Sequence, residues 1–214
     1  MDRINSRHLT NHDGFLQLFT APDLYKYYVT AAPRGVTPAH EPVFELEVRP
    51  GGAERGRGTQ YRVKVVWDAR THHYRADPPR LAIEQNDFVL WHCEEMVGSP
   101  PFGVRGQGRD GAFDSGSLGP GAVFTHFFLK PGCYAYQVNG EGEFRIDVVD
   151  HRELAPEHYR ERVKAAAVVN IRGGRPDRER IEIAAGQTVV WTVEHDEGVV
   201  IAAVQQPRGG KPAT

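Results

Sequence analysis

Short runs of alternating apolar and polar residues make up most of this chain, and Gly, Pro, Asn or Asp punctuates them. Val43 to Val48 alternates with one wet face, and Tyr61 to Trp67 puts Tyr61, Val63, Val65 and Trp67 on one side. Arg80 to Trp91 reads as two short strands around a polar turn at Gln85-Asn86-Asp87. The densest stretch is Phe113 to Val149. There Gly119-Pro120-Gly121 turns the chain into a strand over Val123 to Leu129, and Lys130-Pro131-Gly132 turns it back. Tyr134, Tyr136 and Val138 then share one face, as do Phe144, Ile146 and Val148 on the next strand. The pattern predicts an all-β protein with one helical segment, His151 to Ala167, where Pro156 stands near the start and the end is Ala-rich.

One pair of strands recurs. Arg80, Leu81, Ile83, Val89 and Trp91 are matched by Arg180, Ile181, Ile183, Val189 and Trp191 at a constant spacing (191 − 91 = 100). Five segments follow from these patterns. Residues 1–42 hold a strand-like run at Phe15 to Phe19, the aromatics Tyr25, Tyr27 and Tyr28, and Pro33, Pro38 and Pro42. They read as an N-terminal arm or added strands on their own domain, or an arm docked on a neighbouring subunit. Residues 43–150 form the main sandwich, 151–167 a helical linker, 168–204 a partial second unit, and 205–214 a loose tail. The second unit matches only the first half of the main one, which leaves too few strands to close a sandwich.

Composition removes several partner classes. A formal charge of −2 and a pI near 6.6, with scattered arginines, speak against nucleic acid or an acidic membrane. No apolar run reaches the ~18 residues of a membrane span, and the N-terminus lacks an apolar signal core, so the expected location is cytoplasmic. Two cysteines do not make a disulfide framework. Neither GxSxG, HExxH nor a phosphate loop occurs. Gly103 to Gly121 is glycine-rich but precedes no helix, and reads as a long mobile loop and possible contact surface.

The motifs F-D-S-G at 113–116, the Gly-Pro-Gly turn, the aromatic strand and K-P-G-x-Y-x-Y at 130–136 together resemble plastocyanin-like cupredoxins. The Trp-terminated pair at Arg80 to Trp91 and its repeat add to that resemblance. It implies a Greek-key β-sandwich whose last hairpin carries copper. In that family a Cys stands two residues beyond the second aromatic, a His three residues later, and a Met shortly after. Here those positions hold Val138, Glu141 and, by the choice of gap, Glu143 or Phe144; Phe102 stands where the first His would be. A type 1 site requires two imidazoles and a thiolate, so the scaffold is kept without its ligands. The expectation is therefore a non-catalytic subunit without a cofactor, used in structure or interaction. It would bind protein partners by self-association or within a larger assembly. The alternative is an electron-transfer or metal-handling protein with an atypical copper site built from His92, Cys93 or His126. Against that alternative, Cys93 has Val193 as its repeat counterpart and reads as a small core residue. His126, between Phe124 and Phe128, reads as a hydrogen-bonded core or semi-buried histidine.

Overall fold

A computed structural model describes residues 4–31, 43–51, 58–94, 99–150 and 155–204. The first strands are β1 (Asp13–Leu18), β2 (Asp23–Ala31), β3 (Phe44–Arg49), β4 (Gln60–Asp68), β5 (His73–Asp77), β6 (Arg80–Glu84), β7 (Phe88–His92), β8 (Phe102–Gln107) and β9 (Ala112–Asp114). After them come β10 (Ala122–Phe128), β11 (Gly132–Val138), β12 (Glu141–Val149), helix α1 (Pro156–Lys164), β13 (Ala167–Arg172), β14 (Arg175–Pro176), β15 (Arg180–Ala184), β16 (Gln187–Val193) and β17 (Ile201–Ala203). The protein is all-β apart from α1, which falls inside the segment expected to be helical.

Three sheets form among the described residues. The largest has eight strands in the order β14-β13-β16-β10-β1-β7-β4-β5. A five-stranded sheet, β6-β3-β2-β8-β9, and a four-stranded one, β15-β12-β11-β17, cover one face of it. Alternation explains that face. Phe15 on β1 and Trp91 on β7 point inward and stack at 5.5 Å, and Phe113 and Tyr27 from the five-stranded sheet meet the indole at 5.1 and 5.6 Å. These rings are buried, and each contributes about 1.5–3 kcal/mol by leaving water.

The same arrangement recurs in the second half. Phe124 stacks on Trp191 at 5.2 Å, with Tyr136 edge-on to the indole at 5.5 Å. Tyr27 pairs with Phe44, and Tyr136 with Phe144. Burial pushes the Tyr27 hydroxyl up to about 12, opposed by Trp91, and raises Tyr136 beside Trp191 in the same way. Pairing repeats as well. β4 and β13 run parallel to β7 and β16, and β3 and β12 run parallel to β6 and β15. The two halves meet where β1 pairs antiparallel with β10, Phe15 opposite Phe124. Equivalent residues thus face each other, as a two-fold axis through that pair requires.

The segments leading into β1 and β10 are exchanged between the halves. Asn5 bridges to Ala202 of the second half while Leu9 bridges to Phe102 of the first; Asp114 pairs with Arg105 of the first half while Leu118 bridges to Val199 of the second. Ser6 Oγ accepts the Ile201 N–H at 3.1 Å, and Ser115 Oγ accepts that of Val104 at 3.0 Å. The Ser of F-D-S-G is thus a fixture of this crossover.

Several expectations change. Residues 13–31, read as part of an arm or as added strands, are strands of the chain's own sheets, one central in the large sheet and one inner in a small one. The hairpin β11-β12 takes its hydrogen-bonded partners from downstream, β17 and β15, rather than from strands between 43 and 107. The second half accordingly has its full set of strands, because β10 to β12 belong with β13 to β17. Gly103 to Gly121 is not one loop: it contains most of β8 and all of β9. The hairpin turn at Asn139-Gly140 has positive φ at both residues, 54° and 77°, the geometry that favours Asn-Gly in two-residue turns. The tail at 205–214 lies outside the described residues.

Candidate functional site

Because both small sheets lie on one face of the eight-stranded sheet, its opposite face is not covered by any described strand. Strand pairing aligns two rows there. One runs Asn170, Thr192, Val123, Leu16, Leu90, Arg62; the other runs Val168, Val190, Thr125, Gly14, His92, Lys64. The centre is apolar and half-buried, and Val168 is 43 % exposed. Gly14 makes a shallow dip in it, since a Cβ there would come within 2.7 Å of Thr125 Oγ1 and 3.0 Å of a Leu90 methyl. Phe127 extends the patch along β10, opposite Thr188. Ion pairs flank it: Lys64 with Glu94 at 2.9 Å, and Arg172 with Glu194 at 2.7 Å. Burial holds the His92 imidazole below its usual range; Glu94 opposes this and Arg62 and Lys64 reinforce it.

The inner face carries one buried polar pair at the junction. His126 Nδ1 and Asp13 Oδ1 lie 2.6 Å apart with both side chains essentially inaccessible. Asp13 Oδ2 accepts hydrogen bonds from the Thr10 N–H and hydroxyl, each at 2.7 Å. His126 Nε2 is buried without a partner. At the other end of the two-fold, the equivalent pair is Ala122 and Gln17. Gln17 there donates from its amide to the carbonyls of Leu18 and Pro120.

A cleft of about 520 Å³ opens at that second end. Its lining includes Tyr28, Arg105, Asp114, Ser117, Pro120 and Glu197. Arg105 is held by Asp114 at 2.9 Å.

The positions matched to the copper ligands of plastocyanin-like proteins do not converge. Phe102 is buried at the start of β8 in the five-stranded sheet, against Tyr74. Val138, Glu141 and Phe144 lie on β11 and β12 in the four-stranded sheet. Val138 is buried opposite Glu141 and Ile201, whereas Glu141 is exposed. Phe102 and Val138 therefore do not share one filled site. None of the four side chains supplies the imidazole or thiolate that type 1 copper requires. The remaining candidates are also separated. Adjacent residues put His92 on the outer face and Cys93 in the interior, while His126 is bound to Asp13. Both cysteines are free, Cys93 buried and Cys133 exposed. No three His, Cys, Asp or Glu side chains come together as a metal group among the described residues, and no helix there is long and apolar enough to cross a membrane.

The open face escaped the sequence reading, although a signal for it exists. The outward positions of β1 and β10, Gly14, Leu16 and Leu18 with Val123, Thr125 and Phe127, hold no charged residue, where a wet outer face would. Comparison with protein-family models, with curated proteins and with solved structures finds no match to this chain.

Proposed function

We propose that this chain is a copper-free, non-catalytic subunit of cupredoxin-like architecture that binds protein partners through the outer face of its eight-stranded sheet. One observation carries the reading: Leu16, Leu90, Val123, Val190 and Val168 form a continuous apolar patch across both halves with no described strand over it. Contiguous apolar patches on soluble proteins mark contact surfaces, and a flat sheet face fits another flat face. A second copy of the chain is the one partner of that shape always present, so self-association is its first expected form. The doubled scaffold, with no imidazole or thiolate at Phe102, Val138, Glu141 or Phe144, supports a role in architecture over redox chemistry.

Sedimentation velocity across the micromolar range tests this. The intact chain is expected to self-associate, and the double variant Leu16→Lys with Val190→Lys to sediment as a monomer while keeping its melting temperature within a few degrees. A wild-type chain that stays monomeric throughout would sink the reading. So would one metal held tightly per chain, or an intense thiolate-to-copper band, after copper loading.

A further inference from the structure

The cleft at the junction lies on the side of the large sheet that carries the small sheets, away from the outer face. We infer that it is a binding site for an organic cation, a primary amine in size and charge. The internal two-fold supplies the comparison. Positions that carry only the scaffold are alike in both halves: Phe15 and Phe124, Tyr27 and Tyr136, Trp91 and Trp191, Ser6 and Ser115. Positions lining the cleft are not. By the same strand registers, Tyr28, Arg105 and Glu197 correspond to Gln137, Ala202 and Pro100. Only one end of the axis is thus equipped with an aromatic ring, a guanidinium and a carboxylate.

Charge selects the ligand. Arg105 and Asp114 neutralise each other, which leaves Glu197, a residue with no ion pair among those described. An unbalanced carboxylate in a cleft attracts a cation. The Tyr28 ring, 38 % exposed, offers a π-face for it. Gln17, which lines the cleft, spends its amide hydrogens on the Leu18 and Pro120 carbonyls, so its Oε1 remains as an acceptor. The volume lies within the roughly 300–1,000 Å³ of ordinary small-molecule sites.

The amine could be free or borne by a lysine side chain of another protein, and titration of the full chain by ligand-observed NMR separates the two. The probes are putrescine and N-acetyl-lysine methylamide, with the Nζ-acetylated form of the latter as a neutral control. Saturable binding of at least one charged probe is expected, weakened about fivefold by Glu197→Gln or by Tyr28→Ala and unchanged by Gln137→Ala. Tighter binding of the lysine derivative would assign the site to a protein partner, and tighter putrescine binding to a free amine. The inference is overturned if neither charged probe saturates, if the neutral control binds as well, or if Glu197→Gln has no effect. Because the cleft and the outer face share no residues, loss of one leaves the other standing.

Discussion

A chain lacking residues 1–20 is expected to show no cooperative thermal transition. β1 pairs with both β7 and β10, so its removal cuts the large sheet at the centre. It also removes Phe15 from the stack with Trp91 and Phe113, and Phe19 from its edge-on contacts with Tyr25 and Phe113. Losing two buried phenylalanines costs about 3–5 kcal/mol each by the precedent of core truncations. Together with two broken ladders, that equals or exceeds the roughly 5–15 kcal/mol of a whole domain. Circular dichroism melts provide the measurement. Residues 155–164 make the internal control, because α1 buries none of its side chains and substitutions to Ala on its exposed surface should shift the melt little. A truncated chain melting like the intact one would refute the central placement of β1.

Replacing Asp13 with Ala is expected to lower stability by about 3 kcal/mol or more. The loss exceeds that of an ordinary hydrogen bond because His126 would keep its burial and lose its Nδ1 partner, while the Thr10 N–H and hydroxyl lose their acceptor. The two-fold offers a rescue. Asp13→Ala combined with His126→Gln recreates the Ala–Gln pair found at the other end, where Gln17 bonds two carbonyls. Denaturant melts of the two singles and the double form a cycle whose coupling should be well above 1 kcal/mol. Additive losses would mean that the Asp13–His126 bond is not what holds this end of the junction.

Local structure was legible in the sequence to a considerable degree, and the global arrangement much less so. Alternation correctly located the strands at Phe44–Arg49, Gln60–Asp68 and the pair at Arg80–Glu84 and Phe88–His92, because period two is a property of the chain itself. Which strand pairs with which is not local. The repeat at Trp91 and Trp191 was visible, but its companion was read as two unrelated features. Phe15, Phe19, Pro22, Tyr25, Tyr27 and Val29 match Phe124, Phe128, Pro131, Tyr134, Tyr136 and Val138 at one spacing (124 − 15 = 109). Seen together, the two spacings would have given the second half its missing strands and moved the N-terminal segment to the centre. The change of spacing between them hid the link: two residues at Asn139-Gly140 connect β11 to β12, whereas β2 and β3 are joined by residues 32–43.

The candidate sites were less legible still. A copper constellation can be sought by motif, and its absence at Val138 and Glu141 is readable from sequence alone. A flat apolar face cannot be found that way, since Leu16, Leu90, Val123 and Val190 become neighbours only through pairing between strands far apart in the chain. The cleft has the same character: Tyr28, Arg105 and Glu197 come from three distant segments.

The outer face and the cleft both depend on one claim, that β1 and β10 form the continuous centre of a single sheet. Amide hydrogen exchange on the intact chain tests it most directly. Amides of β1 and β10 that bond into the ladder are expected to exchange together and among the slowest, through global unfolding. Rapid exchange across β1 while β10 stays protected would contradict the account and return residues 1–20 to the role of a peripheral arm.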